Sequence, residues 1–155
     1  MLPRCLSFLK SSTLSPGVRE NGGPDLIIKN LISDDLNNIP NTSGVYIIVA
    51  TNGTSFQYPN GTSPVMYIGM SEHLFDRIKS HADSTRLVNS QLNSFRCMNC
   101  QCHQRYHYFR TFGAKVFIFT RRGLQPPKSQ EAIFLGKFYE KFLSLPVSNG
   151  ARSFY

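Results

Sequence analysis

The sequence predicts a mixed α/β fold of the α+β type, in which a small sheet is flanked by helices. Two apolar segments rich in β-branched residues, at residues 44–51 and 65–70, have the composition of strands. The loop between them carries the turn pairs Asn52-Gly53 and Asn60-Gly61, which favour a hairpin with a long tip. Residues 115–120 form a third segment of this kind, and a helical pattern follows both the second and the third strand.

Polar caps and prolines predict where the elements of the first half begin and end. Residues 26–32 form a short apolar segment that we expect to be buried. Ser33 suits the cap of a helical turn, and Pro40 stops that turn. Ser71 is placed to cap a helix that runs to about residue 82.

The second half is less regular until its last helix. Residues 84–110 predict a short helix followed by irregular chain. Pro126 and Pro127 interrupt the chain, and Ser129 then caps a predicted final helix that ends near residue 145.

Length and composition favour one domain of ordinary size. The 155 residues are 41% apolar and only 17% charged, which suits a chain that buries a core. The longest apolar run, residues 45–50, is far shorter than the roughly 20 residues of a membrane-spanning helix, so no membrane partner is expected. We predict a loosely ordered lead-in at residues 1–24 and a single domain at residues 25–155, with a basic, Cys/His-containing insert at about 84–110.

Basic residues are concentrated in one part of the chain. The net charge is +8, and residues 84–130 hold eight basic residues and no acidic one. Four aromatic residues between positions 106 and 112 interleave with these charges, a pattern typical of nucleic-acid-binding surfaces. The sequence therefore favours an anionic partner such as DNA. Expected contacts are Gly69, Lys79, Arg86, Arg105, Arg110, Arg121 and Arg122.

The cysteines favour a reducing compartment. Three of the four lie within six residues, which does not suit a disulfide framework. Because residues 1–15 lack the apolar stretch of a secretory signal, we expect a cytoplasmic location, with a transit peptide as the less favoured alternative. Structural Zn²⁺ and free thiols are both open interpretations of the cluster. The zinc ligands it offers are Cys97, Cys100, Cys102, His103 and His107.

Two tyrosines in neighbouring strands are the sharpest candidate for chemistry. They lie within Gly44-Val45-Tyr46 and Tyr67-Ile68-Gly69, and strand alternation allows pairing to bring their rings together. Gly69 lets a ligand approach the backbone closely. On the following helix, Arg77 and His81 are four residues apart and share one face, where a guanidinium suits a phosphate. Ordinary packing and a surface ion pair are the alternative interpretations.

A carboxylate opens the apolar stripe of the final helix. Counted from Glu131, the positions on the same face are Leu135, Phe138, Phe142 and Leu145. A carboxylate aimed inward needs a cation or several donors. A favourable interaction with the helix dipole explains the same residue equally well. Asn149, beyond this helix, is either a turn residue or a site residue.

In this order the segments resemble the GIY-YIG nuclease family. The resemblance covers roughly residues 39–149 and depends on the two tripeptides, on Arg77 and His81, on Glu131 and, less firmly, on Asn149. Val45 stands where the family name has isoleucine, and the Cys/His insert is foreign to the core pattern. The resemblance implies a three-stranded antiparallel sheet and hydrolysis of DNA phosphodiester bonds with one Mg²⁺ or Mn²⁺ held by Glu131.

The groups that phosphodiester cleavage requires suggest a hypothetical role for each of these residues. Tyr46 accepts the proton of the attacking water, Tyr67 orients that water, and Arg77 neutralises charge on the phosphate. Nearby cations are needed to lower the pKa of Tyr46 from about 10. His81 is an alternative base or a relay, and direct attack by Tyr46 on phosphorus is a third mechanism.

Two other classes of function compete with the nuclease. One is a noncatalytic nucleic-acid-binding module with a zinc knuckle, and the other is a protein-interaction domain. Since no separate recognition domain is evident, specificity is expected to come from the insert, the lead-in, a partner or a homodimer.

Overall fold

The structure, a computed structural model, describes residues 26–88, 101–120 and 126–150, with side chains described from residue 104 onward in the second range. The lead-in predicted at residues 1–24 lies outside these ranges. No helix within them is long and apolar enough to cross a membrane. The elements, in chain order, are β1 (Leu26–Asn30), β2 (Gly44–Val49), β3 (Phe56–Tyr58), β4 (Gly61–Ser63), β5 (Val65–Ser71), α1 (Leu74–Leu87), α2 (Gln101–Phe112), β6 (Lys115–Thr120) and α3 (Pro127–Phe142).

The main sheet is antiparallel and has the strand order β1-β6-β2-β5. The mixed α/β class is confirmed, but the predicted number of three strands is wrong, because β1 adds a fourth. Residues 26–32 were expected to be buried, yet Leu26 and Ile28 are 37% and 46% exposed on this edge strand. Its place depends on hydrogen bonds to β6, far along the chain, and such long-range pairing leaves no local pattern. The hairpin tip between β2 and β5 carries the separate two-stranded ribbon β3-β4.

The two faces of the sheet follow the predicted alternation of β2. Val45, Ile47 and Val49 pack on one face with the buried side chains of α3. Tyr46 and Ile48 pack on the other face with α1 and α2. This confirms that neighbouring residues of the strand serve different layers of the core.

Helix α1 begins later and ends later than the sequence predicts. It covers Leu74–Leu87, with His73 as N-cap, instead of ending near residue 82. The Ser71 hydroxyl, predicted to cap the helix, instead bonds with the amide and the carbonyl of His73. The extra turn is stabilised by tertiary packing, since Thr85 is fully buried and its hydroxyl donates to the carbonyl of His81 at 2.7 Å.

Helix α2 occupies part of a region in which irregular chain was predicted. It spans Gln101–Phe112, and its Phe109 is fully buried in the core. Packing of that face against the sheet decides its helical structure, because the segment has little helical periodicity of its own.

Two predicted caps are also replaced. Asn30, rather than Ser33, accepts hydrogen bonds from the amides that follow β1, and residues 31–33 form a turn rather than a helix. Helix α3 starts at Pro127, before Ser129, where a missing N–H costs no helical hydrogen bond, and it ends at Phe142.

The outer edge of β5 is covered by the segment that follows α3. The Ser148 amide donates to the Met66 carbonyl at 2.9 Å. The Asn149 side chain accepts from the Ile68 amide at 2.9 Å and donates to the Ile68 carbonyl at 2.7 Å. The side chain therefore satisfies both polar groups of one residue on an edge that would otherwise lack partners.

Replacing Asn149 is expected to destabilise the fold. Asn149→Ala removes both hydrogen bonds to Ile68 in a partly buried place, which should lower the free energy of unfolding by about 1–3 kcal/mol. Urea denaturation measures the loss, with the exposed Asn38→Ala as the matched control. Equal stability of the two variants would show that water replaces these bonds at no cost.

Candidate active site

Three side chains meet at the hydroxyl of Tyr46, on the α1 face of the sheet. The Tyr46 Oη lies 2.7 Å from His81 Nε2, and both residues are fully buried. Arg77 donates from its Nε to the same oxygen at 3.3 Å. Tyr46 therefore lies beside the helix face that Arg77 and His81 share.

Strand register places the second tyrosine beside the first. Tyr46 pairs with Gly69, and Tyr67 pairs with Ile48, so the two tyrosines are diagonal neighbours on one face. Their ring centroids are 5.9 Å apart. Gly69 leaves the space that the rings occupy, because a Cβ there would lie 2.8 Å from the Tyr46 Oη and 2.6 Å from the Tyr67 ring. Any side chain at Gly69 would push the Tyr46 hydroxyl away from its partners.

Helix α1 positions Arg77 and His81 through its buried stripe. Leu74 and Ile78 are fully buried against the sheet and hold the helix in place. His81 lies in this stripe, whereas Arg77 lies at its border and is exposed. A guanidinium in this position contacts a buried phenol and is also accessible to an anion from solvent.

Glu131 reaches the same strand edge from the opposite face of the sheet. It is half-buried in the first turns of α3, and its carboxylate lies near the backbone of Met70, next to Gly69. Burial raises the pKa of Glu131, while the Met70 amide, Arg77 and Lys128 act to lower it. Because β5 is an edge strand, both α1 and α3 lie near it, one on each face of the sheet.

The predicted stripe of α3 explains the direction of this carboxylate. Leu135, Phe138 and Phe142 are buried in the core on the α3 face, as the spacing predicts. Leu145 packs against this core but is only partly buried. Glu131 lies one turn before Leu135, at the point where the stripe passes the end of β5.

Asn149 is also at this edge, but it does not reach the tyrosine hydroxyl. Both of its amide groups are engaged by the Ile68 backbone, between Tyr67 and Gly69. The contacts make it a support of the strand that carries these two residues.

Helix α2 brings two side chains to the site that the sequence did not single out for it. The Arg105 guanidinium lies 4.2 Å from the centre of the Tyr67 ring, and its Nε donates to the Ser148 carbonyl at 3.1 Å. The Tyr106 hydroxyl lies 3.3 Å from His81 Nδ1. Arg105 was predicted to contact DNA, and Tyr106 was noted only as one of four interleaved aromatics. No pattern in the sequence indicates that α2 packs against α1.

Burial controls the protonation of Tyr46. Desolvation raises the pKa of this phenol well above its usual value, and the Tyr67 hydroxyl adds to the effect. Arg77 lowers it, as expected from the sequence, but does not outweigh burial. The hydroxyl of Tyr46 is therefore neutral at rest, and it can both donate and accept a hydrogen bond.

His81 is neutral for the same reason. Burial, together with the charges of Arg77 and Arg105, lowers its pKa from 6.5 to about 3. In the neutral ring one nitrogen donates and the other accepts, so its two tyrosine partners have complementary roles.

This pKa predicts a fall in stability with falling pH. Between pH 6.5 and about 3 the unfolded state binds a proton at His81 that the folded state does not. The free energy of unfolding should therefore decrease by roughly 2 kcal/mol on going from about pH 7.5 to about pH 5. His81→Gln should show a smaller decrease, measured by urea denaturation at both pH values. The exposed His73→Gln is the matched control, and an unchanged slope in His81→Gln would exclude a buried neutral His81.

The described members of the predicted DNA contacts lie in different places. Lys79 and Arg86 lie on another face of α1, where both bond with Asp83, at 2.6 Å and 3.1 Å. Gly69 and Arg105 lie at the tyrosine cluster, and Arg110 is exposed on α2. Arg121 and Arg122 are outside the described residues. Among the described residues of the basic region, Arg105 contacts the tyrosine cluster through the Tyr67 ring.

The aromatic residues of the basic region belong to the core rather than to an open surface. Phe109 is fully buried, and Tyr106, Tyr108 and Phe112 are partly buried against it. Tyr108 packs on Phe56 and Phe112. The interleaved pattern, taken from the sequence as typical of a nucleic-acid surface, has a packing explanation.

The zinc hypothesis concerns residues that are largely outside the described part. Cys97 and Cys100 are outside it, and Cys102 and His103 are described only as backbone of α2. His107 lies on the same helix. Among the described side chains there is no group of three or more metal-ligating residues.

Comparisons of this chain with protein-family models, with curated proteins and with solved structures found no match. A function must therefore be argued from the residues and their geometry.

Proposed function

We propose that this chain is a divalent-metal-dependent endonuclease of the GIY-YIG type, which hydrolyses DNA phosphodiester bonds. The observation that supports it most is the Tyr46 hydroxyl, which contacts both His81 Nε2 and Arg77 Nε next to Gly69. The half-buried carboxylate of Glu131 lies at the same strand edge. This arrangement combines a proton acceptor, a phosphate-binding cation and a metal-binding oxygen, which hydrolysis of a phosphodiester needs.

Each residue has one step in the proposed reaction. Tyr46 takes a proton from water and gives its own proton to His81 Nε2, as the water oxygen forms a bond with phosphorus and the bond to the leaving oxygen breaks. Tyr67, whose ring lies beside that of Tyr46, orients the water. Arg77 binds the phosphate oxygens, whose negative charge grows in the transition state. Its exposed position suits a substrate as large as DNA.

Glu131 is the proposed ligand of Mg²⁺ or Mn²⁺. Its carboxylate is partly removed from water, and among the described residues no lysine or arginine forms an ion pair with it. Such a carboxylate gains from a bound cation. Mg²⁺ in proteins is held by one or two carboxylates, with water and substrate phosphates as the other ligands, so a single glutamate fits. The bound ion supplies Lewis-acid stabilisation of the leaving oxygen.

Plasmid cleavage tests the proposal directly. The purified chain is incubated with supercoiled plasmid and Mg²⁺, and the expected result is nicked and linear DNA. Chelation with EDTA should stop the reaction, and added Mg²⁺ should restore it. Salt-sensitive DNA binding without cleavage in Mg²⁺ or Mn²⁺ would instead indicate the noncatalytic binding module. Absence of salt-sensitive binding would exclude both.

A further inference from the structure

We propose that Tyr106 of helix α2 is a positioning residue of this site, and that it completes a hydrogen-bonded chain Tyr46–His81–Tyr106 through which the proton taken from water leaves. The inference rests on the proposed nuclease function. It assigns a role in the reaction to a helix that carries none of the residues of the two tripeptides, the Arg77/His81 pair or Glu131.

The contacts that carry the proposal lie on opposite sides of one imidazole ring. His81 Nε2 is 2.7 Å from the Tyr46 hydroxyl, and His81 Nδ1 is 3.3 Å from the Tyr106 hydroxyl. Tyr46 is fully buried, whereas Tyr106 is only half-buried. The histidine therefore joins an enclosed phenol to one that is in contact with solvent.

The surroundings of His81 disfavour the doubly protonated, charged form of its ring. It is fully buried, and the rings of Tyr46, Tyr67, Tyr106 and Phe109 enclose it. The charged groups that face it are Arg77 on its own helix and Arg105 on α2, both positive. A proton that reaches Nε2 must therefore be matched by one that leaves Nδ1.

Only one of the two ring tautomers serves the reaction. Tyr46 accepts a hydrogen bond from Arg77, so it can accept a proton from water only if its own proton is donated to an unprotonated Nε2. The single ring proton is then on Nδ1, where the Tyr106 oxygen accepts it. The hydrogen bond made by one ring nitrogen sets the state of the other. By accepting the hydrogen bond from Nδ1, Tyr106 thus keeps Nε2 unprotonated.

The proton transfers balance along the chain. Water gives a proton to the Tyr46 oxygen, the original Tyr46 proton moves to Nε2, the Nδ1 proton moves to the Tyr106 oxygen, and the original Tyr106 proton passes to solvent. No residue in the chain ends with an additional charge. The water oxygen keeps the electron pair with which it bonds to phosphorus.

Removal of the Tyr106 hydroxyl tests the hydrogen-bonded chain Tyr46–His81–Tyr106. Tyr106→Phe is expected to lower kcat for plasmid cleavage about 100-fold with little change in KM, since the loss concerns proton transfer and not binding. Tyr108→Phe is the matched control, because this half-buried tyrosine of the same helix packs on Phe56 and Phe112 instead of His81. Added imidazole buffer should partly restore the rate of Tyr106→Phe by accepting the proton, a rescue that a structural role does not predict.

A second measurement does not depend on cleavage. The ¹⁵N shifts of the His81 ring should report a proton on Nδ1 in the wild type and on Nε2 in Tyr106→Phe, with the ring neutral in both. Wild-type cleavage by Tyr106→Phe, or a reduced rate without buffer rescue and without a change of tautomer, would overturn the proposal. If the wild type cleaves no DNA, the nuclease function fails, and the tautomer measurement alone decides whether Tyr106 sets the state of His81.

Discussion

Glu131→Gln is expected to reduce metal-dependent DNA cleavage by about 1,000-fold or more, because it removes the negative charge that we propose binds the cation. The substitution keeps the shape of the side chain and a polar group near the Met70 backbone. The helix and the strand edge should therefore be preserved. Initial rates of plasmid cleavage in Mg²⁺ measure the effect, and DNA binding in EDTA should be close to that of the wild type.

The outcome separates a metal ligand from a helix-dipole residue. Glu140→Gln, at an exposed position of the same helix, is the matched control and should cleave at the wild-type rate. If Glu131→Gln also cleaved at that rate, the carboxylate would act only on the helix dipole, and the proposed metal site would be wrong.

Tyr46→Phe is expected to lower cleavage by about 100- to 10,000-fold, the range of general acid–base catalysis. It removes the oxygen that both His81 and Arg77 contact, so it should also lower the free energy of unfolding by about 1–3 kcal/mol. Cleavage rates and urea denaturation of the same preparation report the two effects separately.

A second tyrosine provides the control for stability. The Tyr58 hydroxyl donates to the Val65 carbonyl at 3.0 Å and accepts from the Val147 amide at 3.1 Å, away from Arg77 and His81. Tyr58→Phe should therefore lose stability but keep its activity. Cleavage by Tyr46→Phe at the wild-type rate, together with loss of cleavage in His81→Ala, would make His81 the base.

Local periodicity accounts for the parts that were predictable. Alternation along β2 places Tyr46 and Val45 on opposite faces of the sheet. The four-residue spacing places Arg77 and His81 on one face of α1. The apolar stripe of α3 directs Glu131 toward the core. Each pattern depends only on the geometry of a single strand or helix, which is the same wherever that element lies.

The sequence by itself determined the mixed α/β class, the two faces of β2 and the helix face shared by Arg77 and His81, because side-chain period is a property of the local backbone. Tertiary structure decided the fourth strand β1, the packing of α2 against His81, and the raised pKa of Tyr46. These depend on hydrogen bonds between distant segments and on the removal of water from a closed site. Both arise only when the chain has folded, so no stretch of sequence contains them.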